Sequence, residues 1–160
     1  MYILAMHKNV AKRMADMKGY TIKEKIFTIS ASILPYPFMI ATIWTVFTSL
    51  KPLLYIGLAF YIIGLTPYIL TIRIFVKTPI DRQFSGGPFR VSRNPMYVSA
   101  TLMFLGICIM TTNTVLFVIL IIMVILQHFM ILAEERVCIL KYGVNYESYI
   151  KEVPRYVFNI

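Results

Sequence analysis

Acidic residues are scarce in this chain: seven Asp and Glu among 160 residues, against sixteen Lys and Arg. Cysteine and histidine are scarcer still, with two of each, and there is one tryptophan. Each scarcity removes a class of function. Cys108 lies in an apolar run and Cys138 in a polar stretch, so a disulfide framework is not expected. His7 and His128 fall in different environments, and no HxxxH, CxxC or acidic cation loop accompanies them, so no metal site is expected either. No GxGxxG follows a strand pattern, which counts against a soluble Rossmann-type domain. Low-complexity segments and internal repeats are also missing.

What the chain has in abundance is hydrocarbon. It is 59% hydrophobic, with a mean hydropathy of +0.74, too apolar for a soluble globular domain. Four runs approach the length needed to cross a ~30 Å hydrocarbon layer as helices: Ile26–Leu50, Pro52–Ile72, Pro95–Met110 and Val115–Ala133. The expected fold is therefore an all-α integral membrane protein of about four transmembrane helices. Spans three and four form a helical hairpin, and a helical C-terminal tail follows. Three stretches organise the chain: a basic N-terminal segment (1–25), spans one and two (26–77), and a core with spans three and four and the tail (78–160).

The net charge of +9 raises the question of nucleic acid, but the placement of the charges argues against it. In a four-span topology 15 of the 16 basic residues fall on one side, Lys51 being the exception. The positive-inside rule makes that side cytoplasmic, with both termini on it. The basic excess then reads as topology and contact with anionic headgroups; membrane lipids are partners and nucleic acid is not. The N-terminus lacks the pattern of a cleaved signal peptide. Ile3, Met6, Val10, Met14 and Met17 instead recur at helical spacing, as in an interfacial amphipathic helix, the alternative being a partly ordered basic leader.

Two polar islands interrupt the apolar pattern. The first, Gly86-Gly87-Pro88-Phe89-Arg90-Val91-Ser92-Arg93-Asn94-Pro95-Met96-Tyr97, follows the polar stretch Thr78–Ser85. The second, Glu134-Glu135-Arg136, ends the fourth run. Irregular backbone cannot face lipid, so the first island belongs at the interface or along a cavity. Ionisable groups at the mouths of membrane helices need partners or a ligand, which makes both islands candidate sites. Asn94 before Pro95 reads as a helix N-cap with proline at the first helical position. The Thr111–Thr114 hairpin should return span four to the same face, bringing Gln127, His128, Glu134 and Glu135 towards Asn94. Pro35 and Pro37 should kink span one, and Gly57 and Gly64, seven apart, should allow close helix approach. In the tail, Gly143 should stop a helix and a short one should run from about Tyr146 to Glu152.

The ordered set Gly-Pro-Phe-Arg-x-x-Arg-Asn-Pro-Met-Tyr, Glu134-Glu135-Arg136, Tyr142-Gly143-x-x-Tyr146-x-x-Tyr149 and Val153-Pro154-Arg155 resembles the isoprenylcysteine carboxyl methyltransferase and phospholipid methyltransferase superfamily. The resemblance covers about residues 78–156. It implies an integral-membrane enzyme that uses S-adenosyl-L-methionine. It further implies cofactor contacts from Asp81, Arg82, Gln83, Phe84 and Phe89, from Asn94, Pro95, Met96 and Tyr97, and from Glu134. The family's triplet is Arg-His-Pro; here it is Arg93-Asn94-Pro95, which removes an imidazole able to move a proton. The carboxyl-methylating branch carries a substrate-facing arginine where this chain has Met130, which argues against an isoprenylcysteine carboxylate as acceptor.

Charge chemistry reaches the same residues on its own terms. The cofactor carries a sulfonium and an ammonium, which suit a carboxylate such as Glu134 and an aromatic face such as Tyr97. Its carboxylate suits the amides at the start of span three. An amine acceptor must lose a proton, for which Glu135, Glu134 or His128 are candidates, with Arg93 beside them as a catalytic candidate. The bland alternatives are interface ion pairs of Glu134 or Glu135 with Arg93, Arg90 or Arg136, and a structural hydrogen bond for His128. The expected activity is methyl transfer to a lipophilic or small membrane-accessible acceptor: an isoprenylcysteine-like carboxylate, a phospholipid amine or a thiol. The competing expectation is a non-catalytic membrane protein that keeps the fold for binding or assembly. A small transporter is weaker, because the spans carry no charge away from their ends.

Overall fold

The computed structural model describes residues 17–79, 84 and 86–157. Among the described residues every element is helical: α1 (Ile22–Ile33), α2 (Pro35–Ile43), α3 (Lys51–Lys77), a 3₁₀ turn (Gly87–Arg90), α4 (Pro95–Thr111), α5 (Thr114–Tyr142) and α6 (Val144–Glu152). Three helical stretches are long and apolar enough to cross a membrane: Ile22–Ile43, Lys51–Lys77 and Thr114–Tyr142. The third expected run, α4, has 17 residues and is shorter than a full span. The expected N-terminal amphipathic helix falls almost wholly outside the described residues; Met17 and Lys18, at its end, are not helical.

The first span differs most from the sequence expectation. It starts earlier than Ile26, because Thr21 and Glu24 form a reciprocal capping box that satisfies the first free amides. It then breaks at Leu34, where the ring of Pro35 cannot continue the hydrogen-bond ladder, and resumes as α2. The helix ends at Ile43 rather than Leu50, and residues 45–50 are not helical. Thr48 in that stretch donates its amide to the Met110 carbonyl at the end of α4.

Residue pairs show that neighbouring helices run antiparallel. Along α3 and α4, Gly57 meets Gly106 while Gly64 meets Ser99. Along α4 and α5, Tyr97 meets Glu134 while Thr101 meets Gln127. Along α1 and α5, Glu24 meets Arg136 while Phe27 stacks on Phe129. The glycine contacts are close: a Cβ on Gly57 would lie 2.6 Å from the Gly106 carbonyl oxygen, and one on Gly64 2.7 Å from that of Ser99. Small residues of this kind let membrane helices approach backbone to backbone. The apolar core sits towards the opposite end, where Phe38 packs with Cys108, Leu116, Leu120 and Met123. Most other large apolar side chains, among them Ile26, Trp44, Ile62, Ile121 and Ile125, point outward, as lipid-facing positions do.

This antiparallel order gathers the start of α1, the end of α3, the 3₁₀ turn, the start of α4 and the end of α5 at one end of the bundle. α5 is long enough to matter there. About 20 helical residues cross ~30 Å of hydrocarbon; counted from Thr114 they end near Ala133, and the helix continues to Tyr142. Glu134, Glu135 and Arg136 ride on the extra turns.

Candidate functional site

Consecutive residues of an α-helix point about 100° apart, so Glu134, Glu135 and Arg136 address three different neighbours. Arg136 turns to the N-terminal segment. Its Nε donates to Glu24 Oε1 at 2.8 Å, and its Nη2 donates to Glu24 Oε2 at 2.6 Å and to the Gly19 carbonyl at 2.7 Å.

Glu135 turns inward and is 5% exposed. Arg93 Nε donates to its Oε1 at 3.1 Å, Asn94 Nδ2 to the same oxygen at 3.0 Å, and Arg155 Nε to Oε2 at 2.9 Å. The donors come from the segment before α4 and from the tail after α6, so this carboxylate joins three parts of the chain. Backbone bonds reinforce the junction: the Arg93 amide donates to the Pro154 carbonyl, and Arg93 Nη1 to the Ile150 carbonyl. Ser92 Oγ and Asn94 Nδ2 both donate to the Arg155 carbonyl. One turn of the tail back, Tyr149 Oη donates to the Phe89 carbonyl at 2.6 Å; burial lifts its phenol to about 12, so it remains a neutral donor.

Asn94 occupies the N-cap position of α4 as its sequence context predicts, but its side chain makes no capping bond. It is spent on Glu135 and Arg155. The first amides of α4, on Met96 and Tyr97, therefore receive no cap from it. Pro95 is buried and Met96 half-buried beside them.

Glu134 differs from its neighbour. It is half-buried, and its partner is the neutral Tyr97 hydroxyl, which donates to Oε1 at 2.6 Å. Among the described residues no cation pairs with it, whereas Glu24 and Glu135 both have arginines. His128 lies two turns earlier on the Glu135 side of α5, and its Nδ1 is 2.7 Å from Tyr156 Oη. Arg155 and Tyr156 thus grip α5 at two levels.

Of the residues expected at the site, Arg93, Asn94, Tyr97, His128, Glu134 and Glu135 come together at this end of the bundle. Phe89 is buried there, and Phe84 stacks between Phe75 and Phe89 with ring centroids 5.1 and 5.0 Å away. Asp81, Arg82 and Gln83 lie outside the described residues. Ser92, in the first polar island, and Arg155, in the tail motif, were quoted from the sequence without a role, and Tyr20 and Tyr156 were missed. Tyr20 had a signal nearby, the Thr21-x-x-Glu24 capping pattern that ends the N-terminal segment.

With this geometry in view, comparison with known families is decisive: a family model for phospholipid methyltransferases matches residues 31–145. The chain belongs to the phospholipid methyltransferase family. The match starts well before residue 78, so the second span and the later part of the first belong to the family unit as much as the motif-bearing half does. Comparison with curated proteins and with solved structures returns no significant match. As a phospholipid methyltransferase family member the chain is a membrane methyltransferase by descent, and its apolar helices agree with that location. The Glu24 clamp and the Arg155–Tyr156 strap lie outside the matched segment, one on each side of it.

Proposed function

We propose that the protein transfers a methyl group from S-adenosyl-L-methionine to an amine-bearing, lipid-like acceptor at the cytoplasmic face of a membrane. The observation that carries this reading is the half-buried Glu134 carboxylate, held by a neutral phenol and by no described cation. Burying a carboxylate without a counter-charge is costly, and a cationic ligand removes that cost. The cofactor fits this donor set: Glu134 and the Tyr97 ring would receive its cationic end, and the Met96 and Tyr97 amides its carboxylate. When bound it supplies a methyl group activated by the sulfonium.

The remaining work falls to the chain. Glu135, with Arg93, Asn94 and Arg155, would hold the start of α4 and the last turns of α5 in one arrangement, so that Glu134 and Tyr97 are positioned in advance. Glu134 would neutralise an ammonium acceptor and take the proton the amine loses. Arg93, Arg155 and Arg136 would offer little to an anionic acceptor, because the first two are consumed by Glu135 and the third by Glu24. His128, bonded to Tyr156, would brace the tail rather than carry the proton. Asp81, Arg82 and Gln83 would complete the cofactor side, and Phe84 and Phe89 an aromatic wall.

In the bilayer we read four spans, α4 crossing with help from the 3₁₀ turn and polar segment at its start, with both termini cytoplasmic. The N-terminal segment (1–25), spans one and two (26–77) and the core (78–160) would act as one unit. The test is equilibrium binding of S-adenosyl-L-methionine to the protein in nanodiscs, followed by methyl transfer from labelled cofactor to phosphatidylethanolamine. Binding and transfer that both disappear in Glu134→Gln support the reading. A folded wild-type protein that does not bind the cofactor would overturn it.

A further inference from the structure

The family match begins at residue 31, yet the polar end of the bundle is incomplete without residues before it. Arg136 holds the N-terminal segment by three bonds: two to Glu24 and one to the Gly19 carbonyl. The Thr21–Glu24 capping box stiffens the same stretch, and the Tyr20 amide closes a turn onto the Met17 carbonyl. Gly19 lies against α5 at Val137: a Cβ there would be 3.9 Å from Val137 Cγ2. Glu134, Val137 and Cys138 share one face of α5, being three and four residues apart. Tyr20, the next residue after Gly19, is half-buried and within electrostatic reach of both Glu134 and Cys138.

We infer that Tyr20 is a specificity-determining residue of the Glu134 site: it covers the open side of the Glu134–Tyr97 pair, and the Arg136–Glu24 clamp positions it there. This rests on the proposed function for its acceptor role but not for its placement. Two phenols, Tyr97 from α4 and Tyr20 from the N-terminal segment, then flank one carboxylate. That arrangement suits a small cationic headgroup, which a carboxylate neutralises and aromatic faces surround. Burial and the neighbouring Glu134 charge hold the Tyr20 phenol above its ordinary range, so it stays a neutral donor and does not compete for the cation. The N-terminal segment thereby contributes to acceptor choice at a carboxylate that also serves the cofactor.

The test uses the full chain in nanodiscs, in a Cys108→Ala background that leaves Cys138 as the single thiol. Maleimide labelling of Cys138 without cofactor reads the cover, and kinetics with phosphatidylethanolamine read the specificity. Tyr20→Ala should label several-fold faster and raise the acceptor KM about tenfold, the scale of one lost hydrogen bond or cation–aromatic contact, with cofactor affinity within about twofold. Arg136→Glu should act in the same direction, and Glu24→Arg added to it should restore both readouts. Unchanged labelling in Tyr20→Ala overturns the placement. Faster labelling with an unchanged acceptor KM overturns the specificity role. Failure of the wild-type protein to bind cofactor sinks the functional reading separately, because labelling needs no cofactor.

Discussion

Glu134 and Glu135 are adjacent in sequence and opposite in circumstance. Glu135 is surrounded by two guanidiniums and an amide, all held to it at 3.1 Å or less. Among the described residues Glu134 has one neutral hydroxyl. A carboxylate whose lone pairs are filled by charged donors has its cost of burial offset within the fold and little left to offer a ligand. A carboxylate left half-satisfied at the mouth of a membrane bundle is poised for something that is not part of the chain. On the proposed reading, function belongs with the unsaturated carboxylate and architecture with the saturated one, whereas the sequence offered Glu134 for the cofactor and Glu135 as a catalytic group.

The sharpest way to break this comparison is to remove the saturated member. Glu135→Ala would leave Arg93, whose side chain is 7% exposed, facing Arg155 with no counter-charge. The expected loss is about 3–5 kcal/mol of stability, the usual cost of breaking a buried ion pair. It should appear as a lowered unfolding midpoint in detergent and protease cleavage of the tail beyond Gly143. Replacing the unsaturated member should do the reverse. Glu134→Gln is expected to keep the unfolding midpoint within a few degrees while weakening cofactor binding roughly 30-fold or more, as loss of a charge-assisted contact does. Equal destabilisation by the two changes would erase the distinction.

Two smaller effects sharpen it. Gly106→Ala would put a Cβ 2.5 Å from the Gly57 carbonyl oxygen and should cost about 1–3 kcal/mol by forcing α3 and α4 apart. This is a purely architectural loss, measurable by thermal unfolding. Tyr97→Phe removes the hydroxyl that donates to Glu134 without touching Glu135. It should cost about 1 kcal/mol or less in stability, yet shift cofactor affinity, which calorimetric binding on the same sample would separate.

Much of this was legible from the chain. Apolar run lengths anticipated helices over Lys51–Lys77 and Pro95–Thr111 to within about a turn and a half at each end, and the start of Thr114–Tyr142, but not the polar turns that carry that helix nine residues past Ala133. Gly143 stops α5 at a positive φ of 55°, as a glycine after a helix suggests. Gly57 and Gly64 pack α3 closely, as their spacing suggests. The first span resisted, because apolar content continues through residues 44–50 while the backbone leaves the helix; hydropathy reports solubility in lipid, not hydrogen-bond continuity. Asn94 resisted too. A local rule assigns its side chain to capping, but a buried carboxylate from a residue 41 positions away competes for the same amide group and wins.

By itself the sequence determined the class: helices of membrane length, basic residues collected at alternate boundaries of the apolar runs, and a set of motif residues resembling the family whose model matches the chain. These follow from local quantities, namely hydrocarbon per residue, charge per loop and residue spacing along a helix. The tertiary structure alone decided how the three polar residues after Ala133 divide their work. Sequence places Glu134, Glu135 and Arg136 side by side, while a helix sends them in three directions about 100° apart. Which direction holds a tyrosine, two arginines or the N-terminal segment depends on how distant parts of the chain pack around α5.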